Sequence, residues 1–152
     1  MRNDPICLPD RAAALARYPH ARVVGAGDDG ALVFVSGISA RRPDNSHEGV
    51  TIHGDGRVDK DIRVQTRAVI NNIEVILQAA GAGLADVVDV TVYLVDMVDY
   101  AGMNEEWNAR FTDKLSAPAR TTVAVHQLPH PNLLVEMKAV ALLPNEQARA
   151  RS

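Results

Sequence analysis

Residues 61–94 read DIRVQTRAVINNIEVILQAAGAGLADVVDVTVYL, and a change of hydrophobic period inside this stretch decides the class of fold. Over 61–80 the side chains Ile62, Thr66, Val69, Ile73, Ile76 and Leu77 recur at three- and four-residue steps, the spacing of one helix face. Arg63, Arg67, Asn71, Glu74 and Gln78 form a separate polar stripe. Asp59 or Asp61 can cap the start of this helix and Gly81 can close its end. From Val88 the period drops to two, because Val88, Val90, Val92 and Leu94 alternate with Asp89, Thr91 and Tyr93. That alternation predicts a strand with one face on a core.

Toward the C-terminus, Asp99 can cap a second helix carrying Tyr100, Met103, Trp107 and Phe111 on one face, with Trp107 and Phe111 read as core anchors. Thr121 to Gln127 and Leu133 to Leu143 are β-rich runs separated by Leu128-Pro129-His130-Pro131, whose prolines cannot continue a central ladder. Toward the N-terminus, Arg22 to Ala26 and Ala31 to Ser36 flank Gly27-Asp28-Asp29-Gly30 and read as a hairpin. Arg41 to Asp59 reads as a long loop, the kind that often carries function, with a small hairpin around Gly54-Asp55-Gly56. Alanine-rich Asp10 to Tyr18 predicts a short helix ended by Pro19, and 145–152 a frayed polar tail. The order ββαβαββ predicts an α+β fold in which two helices pack on one face of a mixed sheet.

The length, 152 residues, fits one domain spanning 1–152, and 47% hydrophobic with 23% charged residues is a globular balance. A net charge of −3 and 4% aromatics argue against nucleic acid as a partner, since neither a basic field nor a set of stacking platforms is present. The single cysteine, Cys7, excludes an intramolecular disulfide framework, multi-cysteine metal sites and the zinc chemistry of nucleobase deaminases, and suits a reducing cytoplasmic location. Asp4 and Asp10 interrupt any signal-peptide h-region, and no apolar run has the length of a membrane span.

Few residues carry chemistry by pattern alone. Arg120, behind Ser116-Ala117-Pro118-Ala119 at a strand entrance, is either a solvated arginine or a rigidly held fork for a carboxylate. Glu136, inside Leu133-Leu134-Val135-Glu136-Met137, faces solvent, pairs with Lys138 on the same face, or is buried with a raised pKa suited to acid/base work on water. His20, His47, His53, His126 and His130 form no His-Glu-x-x-His signature, so no metal site is expected. Asp55, Asp59 and Asp61 lack the order of a calcium loop and read as turn residues. Ser36 beside Gly37 lacks a Gly-x-Ser-x-Gly elbow, and reads as a strand-end serine or a hydrogen-bond donor to a ligand.

From about Tyr18 to Leu143 the chain resembles the Rid (reactive intermediate deaminase, YjgF-type) family. The segments that carry the likeness are Val35-Ser36-Gly37, Gln65-Thr66, Asn72-Ile73, Asp89 to Leu94, Met103-Asn104-Glu105, Pro118-Ala119-Arg120, Leu128-Pro129 and Val135-Glu136-Met137. Arg41 to Ser46, Thr66 to Ile70 and Thr121 to Pro131 are most similar to the 2-aminomuconate deaminase branch. The resemblance implies a chorismate-mutase-like homotrimer with ligand clefts between subunits and no cofactor. It implies that Arg120 clamps the substrate carboxylate and Glu136 positions or activates water, while Tyr18, Ser36, Gly37, Asn104 and Thr122 line the cleft. His20 and Lys138 depart from the generic pattern, which has glutamine and a second acidic residue there.

The chemistry so implied is hydrolytic deamination of an enamine or imine acid, 2-aminomuconate giving 4-oxalocrotonate and ammonia, as in aromatic compound catabolism. The rivals are a broad 2-iminoacid hydrolase and a non-catalytic, ligand-binding or protein-protecting trimer. For the distal carboxylate of such a diacid, the candidates are Arg41 and Arg42 in the long loop and His126 and His130 near the strand connection.

Overall fold

The computed structural model describes residues 3–25, 27 and 30–145. Helix α1 (Ile62–Ala79) begins where Asp61 accepts from the amides of Arg63 and Val64 at 2.8 and 3.2 Å. It ends in a Schellman turn, in which Gly81 takes φ +87° and the Gly81 and Ala82 amides donate to the carbonyls of Gln78 and Leu77. All six residues of the expected face are buried, together with Gln65 and Ile70. Each large aliphatic among them contributes about 2 kcal/mol relative to exposure.

The described residues form nine strands: β1 (Asn3–Ile6), β2 (Ala21–Gly25), β3 (Gly30–Val35), β4 (Ile38–Ser39), β5 (Val50–Ile52), β6 (Val58–Lys60), β7 (Val87–Leu94), β8 (Ala119–Ala124) and β9 (Val135–Pro144). The main sheet runs β1-β2-β3-β9-β7-β8, with β4 also on β9, and β5 and β6 form a separate hairpin. Every pair is antiparallel except β7 with β8, which are parallel and joined through helix α2 (Tyr100–Arg110). This is the expected α+β architecture. Met103 and Trp107 of α2 and Ile70, Ile73 and Ile76 of α1 are buried with Val90, Val92, Met137 and Ala139 of the sheet. No helix among the described residues is long and apolar enough to cross a membrane.

Three local expectations are corrected. Asp10 to Tyr18 is not helical, because tertiary partners claim its backbone: His20 Nε2 donates to the Ala12 carbonyl at 3.1 Å, Arg41 donates to the Ala13 carbonyl, and the Leu15 amide donates to the Tyr18 hydroxyl. Val88 is the extra residue of a β-bulge between Val87 and Asp89, so Val87 is buried in its place and Val88 is exposed. Asp99 makes no side-chain cap; Asp96 caps the 3-10 turn Met97–Asp99 that leads into α2. The polar stripe of α1 pairs with α2, where Arg63 and Arg67 form paired hydrogen bonds to Glu105 and Glu106, and Glu74 takes Arg110. The hairpin of β2 and β3 pairs as expected, while Asp28 and Asp29 of its turn lie outside the described residues, as does 146–152 of the tail.

Candidate functional site

The strand that begins as β3 breaks at Ser36-Gly37 and resumes as β4, both pieces pairing with β9. At this break the Ser36 hydroxyl donates to the Pro19 carbonyl at 2.7 Å and the Ser36 amide to the His20 carbonyl at 2.9 Å. Gly37 lies directly against Glu136 of β9: a Cβ there would sit 2.3 Å from Glu136 Oε1. Only a glycine leaves the carboxyl this room.

Glu136 is partly buried, and among the described residues its carboxylate has neither an ion pair nor a side-chain hydrogen bond. Burial pushes its carboxyl up from the ordinary value. Of the three readings of this residue, the structure shows neither full exposure nor an ion pair with Lys138, and leaves the half-buried carboxyl. It opens into a cavity of about 640 Å³ with Tyr18, Ser36, Gly37, Arg41, His47 and His130 on its walls.

Arg120 sits elsewhere. In the sheet, Val90 and Val92 of the helix-covered face stand opposite Arg120 and Thr122, whereas Tyr93, of the opposite parity, stands opposite Glu136 and Val123. Arg120 therefore emerges on the α2 side, with its guanidinium carbon 4.8 Å from the Trp107 ring centroid and 6.0 Å from that of Tyr100. Its nitrogens lie 3.8 Å from Met103 Sδ and 3.5 Å from the Tyr100 hydroxyl, and no carboxylate neutralises it among the described residues. Thr122 shares this second, open cavity of about 420 Å³ with Met97 and Tyr100, its hydroxyl buried without a hydrogen bond.

The site residues singled out in the sequence thus divide. Tyr18, Ser36, Gly37, His130 and Glu136 share one cavity and Arg120 and Thr122 another. Asn104 is half-buried on α2 and lines neither. Arg42 faces a third cavity, with His20 and Arg67, which shares Tyr18, Ser36, Gly37 and Arg41 with the Glu136 cavity, and is already engaged by Glu48 through Nε and Nη2 at 2.8 and 2.6 Å. His126 is exposed and lines none of them. Sequence reasoning did not single out His47, which is 7% exposed, stacks 4.3 Å from His130 and leaves Nε2 buried without a partner. No group of three or more histidine, cysteine or acidic residues placed to hold a metal occurs among the described residues.

A family model described as Endoribonuclease L-PSP matches residues 9–143. A RutC family protein of Pyrococcus abyssi is 41% identical over 123 residues, covering 81% of this chain and 85% of the relative. A 2-iminobutanoate/2-iminopropanoate deaminase of Escherichia coli is 35% identical over 88 residues, 57% of this chain and 68% of that protein. The crystal structure of the YjgF gene product of E. coli superposes with a TM-score of 0.70 at 28% identity, over 91% of this chain and 98% of that one.

Proposed function

The chain belongs to the Rid family, whose model is described as Endoribonuclease L-PSP, and from that premise we propose that it hydrolyses the C–N bond of enamine or imine acids, with 2-aminomuconate as substrate. The observation that carries the reading is Glu136: a half-buried carboxyl without an ion-pair partner, raised in pKa and held against a glycine in a cavity wall. Burial favours its protonated form, which suits it to take up and return a proton during hydrolysis. The relative named for 2-iminobutanoate and 2-iminopropanoate deamination supports the reaction class. The family description speaks of an RNA-cleaving activity, but the net charge of −3 and the neutralisation of Arg42, Arg63 and Arg67 by glutamates give this chain little to offer a polyphosphate.

In the reaction, water adds to the imine carbon while its proton passes to the Glu136 carboxylate. The same carboxyl then protonates nitrogen to give the carbinolamine, and it relays the hydroxyl proton to nitrogen as the C–N bond breaks, so that a ketone and ammonia leave. The imine is itself the electrophile, so the step requires no cofactor. Arg120 holds the carboxylate beside the imine carbon.

Since Arg120 and Glu136 lie on opposite faces of one sheet, a working site takes Glu136 from one copy and Arg120 from the next, as in a homotrimer with clefts between subunits. The open sheet face supports such packing, because Phe34, Leu142 and Val123 on it are each about 40% exposed.

Ammonia release from fresh 2-aminomuconate, compared with a 2-iminoacid generated in place, tests the substrate. Activity on both at equal kcat/KM would favour the broad imine hydrolase, and activity on neither would favour a binding protein. Mixing Arg120→Ala with Glu136→Gln chains tests the shared site. Each alone should lose most turnover, while random trimers of the two should regain about a quarter of wild-type activity, because one junction in each mixed trimer is intact. No recovery on mixing would place both residues in one chain's site or remove one of them from the chemistry.

A further inference from the structure

The hydrolytic reading leaves a wall of the Glu136 cavity without a task. That wall is built by the turn Arg42 to Ser46, where the Asn45 amide donates to the Arg42 carbonyl at 3.0 Å and the Arg42 amide to the Ser46 carbonyl at 2.8 Å. Asp44 Oδ1 accepts from both the amide and the hydroxyl of Ser46, and Asn45 takes φ 68°. The turn ends in a β-bridge between Arg41 and His47, which sets these two residues side by side on the cavity. Arg42, one step along, faces the other way toward Glu48.

The chemistry of this wall suits an anion. Arg42, Arg63, Arg67 and Arg110 are each matched by a glutamate, but among the described residues Arg41 donates only to neutral acceptors, Asn45 Oδ1 at 2.8 Å and the Ala13 carbonyl. Its fork is held in position, its charge is uncompensated, and it keeps further N–H groups. Beside it, His47 is more than nine-tenths buried beneath the His130 ring with an unmatched nitrogen, the kind of polar atom a folded protein seldom leaves without a role. Burial, His130 and the two arginines hold its imidazole below its ordinary pKa, so it is neutral and carries one N–H donor. Lys138 reaches the same cavity from an exposed position, where water screens its charge. A cavity of about 640 Å³ has far more room than a three- or four-carbon imino acid fills.

We infer that the Arg41–His47–His130 wall receives a second anionic group of the substrate, so that the chain selects dicarboxylic over short monocarboxylic imino acids. Arg41 supplies the charge, and His47 with His130 forms the desolvated surface against which the second carboxylate packs. This rests on the Glu136 cavity being the hydrolytic site, and the experiment separates the two.

Binding of an unreactive six-carbon diacid, hexa-2,4-dienedioate, and of 2-oxobutanoate is measured by calorimetry on the assembled protein, wild type and Arg41→Gln, with kcat/KM for a dicarboxylic and a short imino acid alongside. Wild type should bind the diacid at least tenfold more tightly than the monoacid. Arg41→Gln should reduce that ratio, and the ratio of the two kcat/KM values, about tenfold or more, and Arg41→Lys should restore part of it. His47→Phe, which keeps the ring stack and removes both nitrogens, should lower diacid affinity more than monoacid affinity. A merely structural role for Arg41, such as tethering Ala13, would weaken both ligands alike and overturn the inference, as would a wild type that does not prefer the diacid. Failure of wild type to release ammonia from either imino acid would instead overturn the hydrolytic reading, while the calorimetric ratio still decides the role of Arg41.

Discussion

Replacing Gly37 with alanine separates the position of the Glu136 carboxyl from its presence. The added Cβ would stand 2.3 Å from Oε1 and 3.1 Å from Cδ of Glu136. Ordinary contact requires roughly 3.5 Å, so the carboxyl oxygen must retreat by about 1 Å. Gly37 has no positive φ, so alanine strains nothing in the backbone, and the atom it meets is the free end of a side chain that can swing aside. Folding stability should therefore change by less than about 1 kcal/mol. A misplacement of about 1 Å in an active site can cost on the order of 100-fold in rate, so kcat should fall about 10- to 100-fold with a smaller change in KM. The assay is steady-state ammonia release, paired with thermal unfolding of the same samples. Gly54→Ala, where a Cβ meets nothing within 4 Å, serves as the control. A Gly37→Ala protein with unchanged melting temperature and kcat within twofold of wild type would refute the assignment of Glu136 to the reacting atoms.

Two further outcomes test the frame around the site. Gln65 is fully buried and clamps the strand connection, donating to the Asn132 carbonyl at 2.8 Å and accepting from the Leu134 amide at 2.9 Å; Gln65→Leu should cost about 3 kcal/mol in denaturant unfolding by stranding both groups, and a loss below about 1 kcal/mol would mean that water replaces the clamp. Because burial raises the Glu136 pKa in the folded chain, folding favours the protonated form, and its contribution to stability declines as pH climbs from the unfolded value of about 4.3 through the folded one. Glu136→Gln should then raise the melting temperature relative to wild type more at pH 8 than at pH 4, and an equal difference at both would show that this carboxyl does not titrate abnormally.

Features that depend on neighbours within about four residues were legible before folding. The buried face of α1, the Asp61 cap and the Gly81 stop are of this kind, as is the alternation of β7 beyond its bulge. Arg120 and Glu136 stood out as residue types in unusual settings, behind a proline and inside an apolar strand. Their relative placement did not, because alternation within a strand says nothing about which residue of one strand faces which of another. Register decided it: β7 pairs Val90 with Arg120 but Tyr93 with Glu136, and that odd step puts the two groups on opposite faces. Tertiary structure likewise kept Asp10 to Tyr18 from becoming a helix, since His20, Tyr18 and Arg41 hold its backbone groups. It also separated two adjacent arginines, sending Arg42 to Glu48 and Arg41 to the Glu136 cavity, and it buried His47 under His130. These outcomes depend on contacts between segments far apart in the chain, whose geometry exists only once the sheet has closed around them.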